Sequence, residues 1–156
     1  MTVIVFDGST CAIDSAGLAD TTVHPVNKFW ISKDGKELIT GAGNAPHVAA
    51  LARWYQHGAF EGTFPPALYY YKDAELIVIS QADGVRRYEA NPNYIEHGQV
   101  ACAFGEGRDF AYGALAAGAP AQQAAEIACQ FSPACAGPVN VFYFEESGDV
   151  KQVGKS

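Results

Sequence analysis

Four tight turns limit the folds open to this chain more than any other feature. Asp7-Gly8, Asp34-Gly35, Asp83-Gly84 and Ser147-Gly148 each stand between short apolar runs. Glycine accepts the positive φ that short hairpin loops need, so such a turn between apolar runs predicts two antiparallel strands. The first joins TVIVF to TCAIDS, and the second returns NKFWIS into KELITGAG. The third leads into VRRYEA, and the last folds PVNVFYFEESGDVKQVG on itself. LYYYKDAELIVIS reads as two more strands around Lys72-Asp73, and VACAFG as a short one, whereas ADTTVHP reads as a loop.

Between the strands the apolar period changes. From Asn44, a suitable N-cap, NAPHVAALARWYQHG places Val48, Leu51, Ala52 and Tyr55 on one helical face and stops at Gly58. RDFAYGALAAG and PAQQAAEIACQF read as a helix pair, with Gly118 ending the first and Pro120 in the first turn of the second. Hairpins set apart from helices predict an α+β fold with antiparallel sheets, and the pattern leaves two layers or four open. No repeat or low-complexity linker interrupts the 156 residues, so 1–156 reads as one domain.

Composition removes several function classes. The chain is 49% hydrophobic and 17% charged, which describes a packed domain and not a disordered one. Ten Lys and Arg against seventeen Asp and Glu give −7, and no basic stretch offers a nucleic-acid surface. The longest apolar runs are far too short to span a bilayer, and the N-terminus has no basic region followed by an apolar one, so neither membrane insertion nor secretion is expected. Cys11, Cys102, Cys129 and Cys135 form no CxxC pair, and His24, His47, His57 and His97 stand apart; reduced cysteines in a cytoplasmic protein, with no metal or cofactor, are the expectation.

One residue stands out chemically. Thr2 follows the initiator methionine, and loss of Met1 leaves a hydroxyl and a free α-amine on the same residue, a nucleophile with its own base. Such a pair needs a nearby cation to lower its pKa values, a carboxylate to hold that cation, and backbone N–H groups facing the oxyanion. Asp14 closes the first hairpin, Lys28 leads the third strand, and the fourth ends in glycines where backbone can approach a ligand closely. Taken singly, these residues have plainer roles: Thr2 as a β-branched strand start, Asp14 as a turn carboxylate, Lys28 as a strand-end cation with its stem on the core. Trp30, Trp54 and Tyr69-Tyr70-Tyr71 read as core or subunit-contact aromatics.

Their order along the chain is more telling. Thr after Met, ID-S closing the first hairpin, V-x-K leading the third strand, G-x-G-N-A before the first helix, and the helix pair within FGEGRDFAYGALAAGAPAQQAAEIACQF followed by GPVNVF together resemble the proteasome β-type N-terminal nucleophile hydrolases. The likeness runs from Thr2 to about Phe142 and is nearest to short bacterial and phage members resembling the peptidase subunit of the bacterial ATP-dependent two-component protease. It implies a four-layer αββα sandwich and a cytoplasmic home in a bacterium or a phage-infected host. It also implies homo-oligomeric rings of six or seven subunits, stacked in pairs, which an ATP-driven unfoldase supplies with polypeptide.

Carried onto this sequence, the resemblance makes Thr2 the nucleophile, with its α-amine accepting a proton through water. Lys28 lowers the Thr2 pKa, Asp14 holds Lys28, and the N–H of Gly41, or of Gly43, forms the oxyanion hole. Three positions depart from the family. Glu106 replaces the Ser of a G-S-G turn, Ser132 stands where a supporting Asp follows the second helix, and Cys135 stands near it in place of a Ser or Thr. Three functions remain open: a threonine peptidase, a catalytically silent ring-forming protein of the same fold, and an amidase acting on a small amide.

Overall fold

The computed structural model describes residues 1–66 and 74–153. Strand β1 (Ile4–Phe6) returns through Asp7–Ser9 into β2 (Thr10–Ile13). The glycines of all four signalled turns adopt positive φ: Gly8 104°, Gly35 76°, Gly84 68° and Gly148 89°. In the first turn the Asp7 carboxylate does the folding, accepting the N–H groups of Ser9 (2.9 Å) and Thr10 (2.7 Å) and the Thr10 hydroxyl (2.6 Å).

The segment expected as a loop is instead a second hairpin, β3 (Ala16–Ala19) with β4 (Thr22–Pro25). It turns at Asp20, a non-glycine residue at φ 53°. Strands β5 (Phe29–Ile31) and β6 (Glu37–Ala42) follow around Gly35, then helix α1 (Ala45–Gln56). Asn44 caps α1 by accepting the His47 N–H at 3.0 Å, and Val48, Leu51 and Ala52 are buried as the period predicts. Trp54 is buried with them, while Tyr55 is half-buried and gives its hydroxyl hydrogen to Glu37 at 2.6 Å.

Strands β7 (Glu75–Ser80) and β8 (Gly84–Tyr88) form the expected hairpin; the turn at Lys72-Asp73, the strand before it and Tyr69-Tyr70-Tyr71 fall outside the described residues. An exposed edge strand that the sequence did not signal, β9 (Tyr94–Gly98), pairs with β8. After β10 (Cys102–Phe104) comes the helix pair α2 (Arg108–Ala116) and α3 (Ala121–Phe131), then the hairpin β11 (Asn140–Phe144) and β12 (Val150–Gln152). Gly118 lies just past α2 at φ 95°, and Pro120 is the N-cap of α3, one position ahead of its expected place.

The strands make two five-stranded antiparallel sheets, β10-β1-β2-β11-β12 and β5-β6-β7-β8-β9, with β3-β4 apart. Ile4, Phe6, Ile13 and Phe142 of the first sheet share one core with Leu38, Ile77 and Ile79 of the second, so the sheets pack against each other. The opposite face of the first sheet, Val3, Val5 and Ala12, packs on α2 and α3 through Ala111, Ala121, Ala124, Ala125 and Ala128. Alanines allow this close approach, and each strand alternates between the two cores because successive side chains point to opposite faces. The outer face of the second sheet, Ile39, Leu76 and Val78, packs on α1 through Val48, Leu51 and Trp54. The fold is thus mixed α and β with antiparallel sheets, and no helix of the described residues is long and apolar enough to cross a membrane.

Candidate active site

Thr2 leads into β1 and is 6% exposed. Its carbonyl accepts the Gly107 N–H at 3.1 Å, which joins the chain start to the beginning of α2. Gly105 lies against the same carbonyl: a Cβ there would come within 2.3 Å of the Thr2 oxygen, and the residue sits at φ 89°. Both facts require glycine at 105.

Asp14, just past β2, is fully buried. Three donors reach its carboxylate. Oδ1 accepts the Val3 N–H (3.0 Å) and Oδ2 the Ala136 N–H (3.2 Å), while the Lys28 ammonium bridges both oxygens at 2.9 and 3.0 Å. A buried carboxylate is tolerable when paired and fully hydrogen-bonded, and this one is. Lys28 has an 11% exposed side chain, and its own carbonyl accepts the Thr40 hydroxyl at 2.6 Å. Its remaining donors point to the chain start: Nζ lies 2.6 Å from the Met1 carbonyl oxygen and 3.5 Å from Thr2 Oγ1. Pairing of β1 with β2 sets Asp14 beside the start of β1, and the packing of the two sheets brings Lys28, which leads into β5, against both Asp14 and Thr2. A fixed ammonium beside a hydroxyl favours the alkoxide electrostatically.

With Met1 in place, the Thr2 hydroxyl donates to the Met1 carbonyl at 2.5 Å, and the Thr2 nitrogen is an amide, which is no base. The Met1 ammonium lies 3.4 Å from Glu106 Oε1, and that carboxylate is 69% exposed. Ser132 is buried at the end of α3 and accepts the Ala134 N–H at 3.1 Å. Burial raises the thiols of Cys129, to about 12, and of Cys135, so neither is a thiolate near neutrality.

Thr2 lines two hollows. One, of about 740 Å³, is mainly apolar, with Val26, Trp30, Val48 and Ala49 in its wall. Gly41 lines this hollow, and a Cβ on it would strike the Glu75 carbonyl oxygen (2.4 Å) and Val48 (2.6 Å). Gly43 lines both hollows. The other, of about 900 Å³, is charged, with Glu75, Arg87, Glu89, His97 and Arg108 around it. Arg87 reaches Glu89 at 3.2 Å and Glu75 at 3.5 Å. Burial raises the Glu75 carboxyl against the pull of Arg87, and burial together with Arg87 holds His97 below the usual imidazole range. Among the described residues no three His, Cys, Asp or Glu side chains gather as a metal site.

Sequence reasoning missed the charged hollow and the two backbone donors on Asp14. The hollow is assembled from β7, β8, β9 and α2, and no local spacing announces it. Gly105 and Gly107 flank Glu106 in the G-E-G turn that the sequence places ahead of the helix pair.

No family model and no curated protein matches the sequence. Among solved structures the chain is similar to one described as Thiobacillus denitrificans BPH in complex with epoxomicin, at 19% identity and a TM-score of 0.67. The match covers 93% of this chain and 98% of that one, and shows a shared fold.

Proposed function

We propose that this chain is a threonine peptidase subunit of proteasome type, a single domain over 1–156 built as a four-layer αββα sandwich. One observation carries the proposal: Lys28 Nζ, held on both oxygens of buried Asp14, lies 3.5 Å from Thr2 Oγ1. Once Met1 is removed, the Thr2 α-amine takes the hydroxyl proton through a water, and Oγ attacks the substrate carbonyl carbon. The Gly41 N–H, or that of Gly43, stabilises the oxyanion. The C–N bond breaks, the leaving amine takes the proton, and water hydrolyses the resulting ester. The fold shared with a protein in complex with epoxomicin supports this proposal.

Assembly belongs to the same proposal: a cytoplasmic homo-oligomeric ring of six or seven subunits, stacked in pairs and fed polypeptide by an ATP-dependent unfoldase. It is supported by the stacked and exposed rings of Phe110 and Phe131 on α2 and α3, an apolar surface of the kind subunit contacts cover. A second reading, a catalytically silent ring protein of this fold, is favoured by Glu106 in place of a serine. The decisive assay is peptide hydrolysis by the protein freed of Met1 against Thr2→Ala. Turnover that vanishes in the variant, while its unfolding transition is kept, supports the peptidase; equal rates in both overturn it, and no turnover in either favours the silent protein.

A further inference from the structure

The intact chain carries an aminoacyl group in its own candidate site. Met1 is acylated onto the nitrogen of Thr2, and its carbonyl oxygen receives the Thr2 hydroxyl at 2.5 Å and the Lys28 ammonium at 2.6 Å. Its α-ammonium group meets Glu106 Oε1 at 3.4 Å. The α-nitrogen and Oγ of Thr2 stand on adjacent carbons, so an aminoacyl ester on Oγ occupies nearly the space that Met1 occupies on nitrogen. Such an ester places its own ammonium within reach of the same carboxylate.

The surroundings favour a cation there. Glu106 lines both hollows, and in the charged one it joins Glu75 and Glu89 against two guanidinium groups. One of these, Arg87, is already engaged by Glu75 and Glu89, and the other, Arg108, donates to the Gly105 carbonyl at 3.0 Å. The Glu106 carboxylate has no cationic partner other than the Met1 ammonium among the described residues. An acetylated or internal residue carries no ammonium to offer it.

We infer that Glu106 is a specificity-determining residue that recognises a free α-ammonium, and that the enzyme releases N-terminal residues from peptides. This rests on the threonine-peptidase proposal. Thr2 Oγ bonds to the carbonyl carbon of the first residue, the bond from that carbon to the second residue's nitrogen breaks, and that nitrogen leaves with the proton from Oγ. Water then cleaves the ester, giving a free amino acid and restoring the Thr2 hydroxyl.

The test compares methionyl-7-amido-4-methylcoumarin with its N-acetyl counterpart, using full-length protein whose intact mass shows Met1 gone. Glu106→Gln, close in shape and on an exposed side chain, is measured beside it, with Thr2→Ala as the activity control. The expected result is a higher kcat/KM on the free-amine substrate, a preference that falls about fivefold in Glu106→Gln, as for the loss of one solvent-facing ion pair, and further in Glu106→Lys. Equal use of the two substrates, or a preference that survives Glu106→Gln, overturns the inference. If an N-blocked peptide is cut internally in a Thr2-dependent way while the free-amine substrate is untouched, the inference falls and the peptidase stands. If neither is cut, both fall.

Discussion

Two aspartates bracket strand β2, and their side chains do different work by similar means. Asp7, at its start, collects N–H groups from Ser9, Thr10 and, across the fold, Ala121 at the first turn of α3 (2.8 Å). Asp14, at its end, collects N–H groups from Val3 and Ala136. Asp7 stops there: no ammonium or guanidinium is bonded to it among the described residues, and it ties a turn to a helix start, where a negative charge is favoured. Asp14 is buried and has Lys28 as well, so the same backbone straps hold a charged pair whose free side faces Thr2. A strapped carboxylate organises structure; with one ammonium added, the strapped carboxylate also fixes a positive charge beside the Thr2 hydroxyl.

The strongest way to break this contrast is Asp14→Ala. It leaves a nearly buried Lys28 without its counter-charge and two N–H groups without acceptors, and should cost about 3–5 kcal/mol in urea unfolding while abolishing Thr2-dependent hydrolysis. A loss below 1 kcal/mol would deny the pair its structural role. Next is Gly105→Ala, which forces a Cβ onto the Thr2 carbonyl at positive φ and should cost about 1–3 kcal/mol and depress turnover by moving Thr2. A variant as stable and active as the parent would show that the close approach has no consequence.

Asp7→Asn sharpens the contrast from the other side. Burial raises the Asp7 carboxyl, but the hydrogen bonds from Thr10, Ala121 and Ser9 outweigh it and bring the group to about 2. Because the folded value lies below the ordinary 3.8, the stabilisation is fully present above pH 3.8 and is lost as pH falls through about 2. The variant should be destabilised by about 1 kcal/mol at pH 6, the shift being discounted for solvent screening of a half-buried group. It should converge with the parent near pH 2 in thermal unfolding and keep hydrolysis unchanged. A pH-independent difference would assign the effect to packing instead.

The sequence carried the hairpins whose turns contain glycine, because backbone sterics alone decide them. It did not carry β3-β4, where the strands are mostly exposed and the turn residue at positive φ is Asp20. Nor did it carry β9, whose Tyr94, Ile95 and Glu96 all face solvent and show no alternation. Thr2, Asp14 and Lys28 could be named in advance because their order along the chain is itself a pattern; pairing of β1 with β2 and the packing of the two sheets then bring them into contact. The bond from Ala136 to Asp14 and that from Ala121 to Asp7 join residues over a hundred positions apart. Backbone N–H groups carry no residue identity, so nothing in the sequence marks them.

The central claim, that Thr2 works as a nucleophile through its hydroxyl and freed amine beside Lys28, meets its most direct test in intact-mass measurement. The protein is taken from its native host and incubated with epoxomicin, with Thr2→Ala treated in parallel. The account predicts a chain beginning at Thr2 that gains the mass of one inhibitor molecule, and a variant that gains none. A chain that retains Met1 and stays at its own mass, or a variant that is labelled as fully as the parent, would contradict it.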